Sequence, residues 1–104
     1  MCTVTFIPQK DRYFITSSRD EKAARPKAVA PAVYANYNAT LLYPKDAAAH
    51  GTWIAMNQTG NAAVLLNGAF AKHEPEPPYR KSRGLIFLDI IAAAEPIDWF
   101  AEIN

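Results

Sequence analysis

The segment TWIAMNQTGNAAVLL, residues 52–66, decides the fold because it predicts the two strands of a β-hairpin. Thr52–Met56 and Ala62–Leu66 are apolar runs of strand length, and the polar segment Asn57–Asn61 separates them. Gly60 suits a hairpin position that needs a positive φ. The middle of this chain is therefore expected to be part of an antiparallel sheet.

A second hairpin is predicted at the start of the chain. Cys2–Ile7 alternates between two faces and is rich in β-branched residues, as a strand is. Pro8–Asp11 has turn composition, and Tyr13–Ser18 predicts the partner strand. Antiparallel pairing would return residues 18–20 towards Cys2, which brings charged groups to the chain's single thiol.

The chain between these two hairpins predicts one further strand. Glu21–Pro31 is polar, rich in Ala and flanked by prolines, so we expect a surface loop there. Tyr34–Tyr43 is weakly strand-like, and Pro44–Gly51 is expected to be a second loop. Together with the hairpins, this region gives about five strands.

The periodicity changes to a helical one after a proline-rich segment, His73–Tyr79. Ser82–Ala94 carries a wide apolar face at helical spacing, and Ser82 is a suitable N-cap. Pro96–Ile103 predicts a short second helix, with a Pro at its first turn. We expect its anchors to be Trp99, Phe100 and Ile103. The predicted class is α+β: a largely antiparallel sheet followed by two C-terminal helices that cover one sheet face.

Composition limits the classes of function. The 104 residues suffice for one domain, 1–104, and the net charge of +1 gives no electrostatic basis for binding nucleic acid. A single cysteine forms no internal disulfide, and no signal peptide is visible, so a reducing, cytoplasmic location is expected. The longest apolar run, Leu85–Ile91 with its Ala tail, is too short to span a membrane. We predict no metal and no cofactor, because the two His residues are isolated and Cys2 lacks a second thiol.

A set of short motifs in a fixed order carries a family resemblance over almost the whole chain. The motifs are Met1-Cys2, Ser18-Arg19-Asp20-Glu21, Arg25-Pro26, Asp46, His50-Gly51-Thr52-Trp53-Ile54, Gly60–Asn67 and Ser82-Arg83-Gly84-Leu85. The set resembles the NRDE-motif family, which includes the transport and Golgi organisation proteins. Two positions depart from the family pattern: Ser18 replaces the Asn of NRDE, and His50 replaces the first Gly of Gly-Gly-Thr-Trp.

The resemblance implies a fold and an activity. The family is similar to the N-terminal-nucleophile (Ntn) hydrolases of the cysteine type, which cleave amide bonds of small molecules and use an αββα sandwich. Its members are usually about twice this long, so the chain resembles the N-terminal half of a longer family domain. The implied partner is a small-molecule amide or a hydrophobic ligand. The resemblance maps the nucleophile to Cys2, the Arg-Asp pair to Arg19 and Asp20, and the oxyanion-binding Asn to Asn67.

The chemistry expected of Cys2 depends on removal of Met1. Cys2 would then carry a thiol and a free α-amine, and an α-amine titrates near about 7.7–8.0, so it can act as base for the thiol. Arg19 is expected to favour the thiolate by proximity, and Asp20 to orient the amine. Asn67 could direct its amide group at a developing oxyanion.

Other interpretations of the same residues remain open. Cys2 could be a small buried hydrophobe, Arg19-Asp20 a solvated pair, and Asn67 with Gly68 a turn. The alternative function is a non-catalytic role in haem or lipid binding or in trafficking, as the resemblance also implies. An open sheet with one uncovered face would need a second copy or the missing C-terminal half as its partner.

One basic cluster also has two interpretations. It consists of Lys72, His73, Arg80, Lys81 and Arg83, around the proline-rich segment. The cluster is either solvated surface or a grip for an anionic ligand.

Overall fold

The computed structural model describes residues 2–36, 38–66, 71, 74 and 76–102. Six strands precede two helices in this part of the chain, which confirms the predicted α+β class. The elements are β1 Thr3–Pro8, β2 Tyr13–Ser18, β3 Val29–Asn36, β4 Ala39–Lys45, β5 Ile54–Asn57, β6 Ala62–Val64, α1 Arg83–Ala92 and α2 Pro96–Glu102.

The strands form two antiparallel sheets. β1 and β2 make a two-stranded sheet whose pairing runs from Thr3 opposite Ser18 to Pro8 opposite Tyr13. The other four strands pair in chain order, β3-β4-β5-β6, so every connection joins neighbours. The predicted hairpin of residues 52–66 is confirmed as β5 and β6, and Gly60 has the positive φ, 90°, that the turn requires.

The prediction for residues 21–43 was wrong in one respect. β3 begins at Val29, inside the expected loop, and the expected single strand Tyr34–Tyr43 is the hairpin of β3 and β4. Pro31 misled the sequence interpretation because it cannot donate to a ladder. The structure accommodates Pro31 on an edge strand, where the register shifts between Val29 and Ala32.

The core lies between one face of the four-stranded sheet and α1. Leu41 in β4 and Ile91 in α1 are completely buried there. Full burial of a side chain of this size contributes roughly 1.5–3 kcal/mol. The buried apolar residues of the core are Ala39, Leu41, Tyr43, Ala55, Phe87, Leu88 and Ile91. The predicted covering of one sheet face by a helix is therefore confirmed for α1.

Side chains form hydrogen bonds near both ends of α1, and the one at its start was predicted. Ser82 has extended backbone geometry, and its hydroxyl accepts a hydrogen bond from the Leu85 amide, which confirms it as N-cap. Near the other end, buried Asn57 donates to the Ile91 carbonyl at 3.2 Å. The same Asn57 side chain accepts hydrogen bonds within the β5–β6 turn, so one residue ties the hairpin to the helix.

The predicted anchoring of α2 was wrong. None of its described residues is buried, and the predicted anchors Trp99 and Phe100 are 37% and 63% exposed. The predicted anchor Ile103 lies outside the described residues. α2 contacts α1, but this contact leaves Ile97 and Phe100 at the surface.

Candidate functional site

A cleft of about 370 Å³ opens where the β1–β2 hairpin ends beside the start of α1. Its lining comes from five parts of the chain: the strand ends near Cys2 and Ser17, the segment that follows β2, the loop before β5, the residue after β6, and the first turn of α1. The lining residues are Cys2, Ser17, Arg19, Glu21, Arg25, Asp46, Ala49, Gly51, Thr52, Trp53, Leu65, Ser82, Arg83 and Gly84.

Asp46 is the centre of the charged network in this cleft. One carboxylate oxygen, Oδ2, accepts from the Arg19 guanidinium at 2.9 Å and from Arg25 Nε at 3.0 Å. The other oxygen, Oδ1, accepts from the backbone amides of Ala48 and Ala49 at 2.9 and 2.8 Å. A buried carboxylate with this many charged and backbone donors is fully satisfied, which is the condition for burying it.

The pKa of the Asp46 carboxyl lies well below its ordinary value. Burial acts in the opposite direction, because it disfavours the charged form. The amide of Ala49, the guanidinium groups of Arg19 and Arg25, and the amide of Ala48 outweigh burial. Asp46 is therefore ionised at any physiological pH.

Arg19 has its charge shared among several partners. Its guanidinium donates to Glu21 at 2.6 Å as well as to Asp46, and it stacks on the Trp53 ring at 3.9 Å from the ring centroid. A planar guanidinium can make both kinds of contact at once, because it donates hydrogen bonds in its own plane and stacks through its face. The arrangement holds Arg19 rigidly in the wall of the cleft.

The structure brings two of the four predicted catalytic residues into this cleft. Cys2 and Arg19 both line it, because Thr3 pairs with Ser18 and the residues just beyond that pair come together. Asp20 is not among the lining residues. The chain's amino terminus lowers the pKa of the Asp20 carboxyl, chiefly by a hydrogen bond and then by its charge. Asn67 lies outside the described residues.

A close approach of two glycines places the start of α1 at the cleft. A Cβ atom on Gly51 would lie 2.6 Å from the carbonyl carbon of Gly84, so nothing larger fits. Before this contact His50 adopts a φ of 63°, a conformation that glycine tolerates best. Because the family pattern has Gly at the position of His50, the left-handed backbone explains that preference.

Sequence reasoning gave no role to four residues that build the cleft, Glu21, Arg25, Asp46 and Trp53. Arg19 and Asp46 are 27 positions apart, and Arg25 and Asp46 are 21 apart, so no local periodicity joins them. The signal that marks these residues is their place in the motifs that carry the family resemblance.

The basic cluster separates into different environments. Lys81 forms an ion pair with Asp89 of α1, and Arg83 lines the cleft, whereas Arg80 does not. Lys72 and His73 lie outside the described residues. The three described members of the cluster, Arg80, Lys81 and Arg83, therefore do not share one environment.

The described ranges lack two further classes of site. Residues 2–36, 38–66, 71, 74 and 76–102 contain no group of three His, Cys, Asp or Glu side chains that could hold a metal ion. Within the same ranges, neither α1 nor α2 combines the length and hydropathy that a membrane span needs.

These features define a small antiparallel α+β protein with a cleft that joins an N-terminal cysteine to an arginine-carboxylate network. The chain belongs to the Transport and Golgi organisation 2 family, whose model matches residues 1–104. No curated protein and no solved structure matches the chain significantly.

Proposed function

We propose that this protein is an Ntn-hydrolase-like enzyme that hydrolyses C–N amide bonds of small non-peptide molecules, with Cys2 as its nucleophile. The observation that carries the proposal is that Cys2 and Arg19 line one cleft. Membership of the Transport and Golgi organisation 2 family supports it further. The proposal includes a cytoplasmic location, which the single cysteine supports.

The reaction begins after removal of Met1, which frees the α-amine of Cys2. The neutral amine takes the thiol proton, and the sulfur attacks the amide carbonyl carbon to form a tetrahedral intermediate. The amine returns that proton to the leaving nitrogen as the C–N bond breaks. Water then hydrolyses the resulting thioester, which releases the acid and restores the thiol.

Three other residues have proposed parts in this reaction. Arg19 forms a rigid wall of the cleft, and Asp46 and Glu21 share its charge, so its effect is more positional than electrostatic. Asp20 orients the freed amine of Cys2, a role proposed from the family resemblance. Asn67 is proposed as the oxyanion donor because of the family resemblance, and one such donor is typically worth about 10²–10³ in rate.

The proposal is tested with chromogenic acyl p-nitroanilides of different acyl size. A chain that begins at Cys2 should release p-nitroaniline, and Cys2→Ala should not. The matched control is the wild-type chain produced in cells whose methionine aminopeptidase is inhibited. This chain keeps Met1, so it has the thiol of Cys2 but no free amine on that residue. Equal release by wild type and Cys2→Ala would disprove the nucleophile.

A different surface favours the alternative function of binding a hydrophobic ligand. An apolar groove of about 380 Å³ lies between β2 and the sheet face opposite α1, lined in part by Tyr13, Ile15, Leu42 and Met56. A fluorescent fatty acid should bind there with unchanged affinity in Cys2→Ala and with lower affinity in Met56→Lys. Binding that survives Met56→Lys unchanged would exclude this groove as a ligand site.

A further inference from the structure

The charges around the cleft do not cancel. Five charged side chains line it: Arg19, Arg25 and Arg83 are positive, and Glu21 and Asp46 are negative. Ion pairs of 2.6 to 3.9 Å join the first two arginines to the two carboxylates. Three positive charges minus two negative charges leave one positive charge in the lining.

Arg83 carries the uncompensated charge. It is exposed at the first position of α1 and has no ion-pair partner among the residues that the structure describes. The first turn of α1 also contains no acidic residue. The start of a helix carries a partial positive charge. The helix therefore does not offset the charge of Arg83 but adds to the attraction for an anion.

The geometry points to Arg83 as the residue that selects substrates bearing a carboxylate, in the same cleft as Cys2. This inference rests on the proposed function, because it names the class of amide that the site takes. A single unpaired guanidinium matches a monoanion, and its fork of N–H donors fits a carboxylate. A dianionic phosphate in the same place would keep one negative charge unpaired.

The test uses the only thiol of the chain as a probe of the charge near it. Iodoacetate and iodoacetamide alkylate a thiolate by the same displacement of iodide, but only iodoacetate carries a carboxylate. The ratio of their rates therefore cancels the intrinsic reactivity of Cys2 and measures the preference for an anion. The variants are Arg83→Gln, Arg83→Lys and, as a matched loss of charge outside the cleft, Arg80→Gln.

We expect Arg83→Gln to lower the iodoacetate-to-iodoacetamide ratio about threefold, the effect of one charge several ångströms away in a wet cleft. Arg83→Lys should keep most of the ratio, Arg80→Gln should keep all of it, and 1 M salt should remove the difference. The iodoacetamide rate alone, if unchanged, shows that the variant is folded.

Two outcomes would overturn the inference. An unchanged ratio in Arg83→Gln would show that Arg83 does not act on anions near Cys2. An equal fall in Arg80→Gln would show that only overall charge matters. Alkylation of Cys2 needs no amide hydrolysis. The alkylation ratio can therefore depend on Arg83 even if no p-nitroanilide is cleaved, and cleavage can occur even if the ratio does not depend on Arg83. Failure of one proposal is thus distinguishable from failure of the other.

Discussion

Asp46 organises the cleft at the scale of the single residue. Its side chain is 8% exposed and receives hydrogen bonds from two guanidinium groups and two backbone amides. Such a carboxylate holds together two separate parts of the chain, the segment after β2 and the loop before β5, and Arg19 joins the same two parts a second time by stacking on Trp53. The cleft that contains Cys2 therefore depends on a residue that has no role in the proposed chemistry.

Replacement of Asp46 by Asn should destabilise the fold by about 2–4 kcal/mol, because two arginines lose their buried counter-ion. The dependence of the unfolding free energy on pH should also change in the acidic range. The pKa of Asp46 is lower in the folded chain than in the unfolded one. Its contribution is therefore present above the unfolded pKa of 3.8 and is lost as pH falls below it.

Urea denaturation of wild type and Asp46→Asn at several pH values measures both effects. The difference in unfolding free energy between them should be constant near neutral pH and should shrink below about pH 4. A difference that stays the same down to pH 2 would contradict the assignment of Asp46 as the ionised partner.

His50 stores backbone strain beside the cleft. Because His50 has a φ of 63°, which costs energy for a residue with a Cβ atom, His50→Gly should raise the unfolding free energy by about 1 kcal/mol. His50→Ala is the matched control, since it removes the imidazole and keeps the Cβ atom that causes the strain. Thermal melts of the two variants separate the effects, and an equal gain in both would assign the strain to the ring instead.

At the scale of the element, the contact between the loop before β5 and α1 sets the position of Arg83. Gly51→Ala should cost about 2–3 kcal/mol, because its Cβ would overlap the Gly84 backbone. Gly84→Ala should cost less: its Cβ would lie 3.1 Å from Thr52, and Ala favours a helix more than Gly does. Chemical denaturation gives the order, and a larger loss in Gly84→Ala would refute the packing described.

Sequence patterns predicted the elements that depend only on residues close together in the chain. The β5–β6 hairpin and the Ser82 cap follow from strand-length apolar runs, a glycine turn and a hydroxyl three residues before an amide. β3 was missed because Pro31 and the alanines around it carry a loop signal, and only pairing with β4 overrides that signal. α2 has an apolar pattern that predicts burial, yet its contact with α1 buries none of its described residues.

The candidate site also combines contacts between nearby residues, which were predictable, with contacts between distant residues, which were not. The return of Arg19 towards Cys2 was predictable from the register of a short hairpin. The partnership of Arg19 and Arg25 with Asp46 was not, because it depends on where a loop more than 20 residues away is placed. Likewise Arg80 and Arg83 look alike in sequence, and only the fold puts Arg83 in the cleft.

At the scale of the whole molecule, one face of the four-stranded sheet is only partly covered in the described part of the chain, by β2 across the apolar groove. Directly opposed residues form an apolar row across all four strands, Val33, Leu42, Met56 and Ala62. Leu42 and Met56 are 40% and 43% exposed. A second copy of the chain, or a C-terminal half of a longer family protein, is the proposed cover for this face.

We expect the chain alone to self-associate at micromolar concentration and Met56→Lys to weaken that association. Ile97→Lys introduces the same charge at an exposed apolar residue of α2 and should have little effect. Sedimentation velocity over a range of concentrations measures both variants. A well-behaved wild-type monomer at micromolar concentration would show that this face needs no partner.

In the proposed mechanism Cys2 acts with its own α-amine, so Met1 must be removed. The most direct test is the intact mass of the protein purified from the organism that makes it, before and after incubation with an acyl p-nitroanilide. We predict a chain lighter by one methionine, which then gains the mass of the acyl group on Cys2. Complete retention of Met1 would contradict the amine-base mechanism.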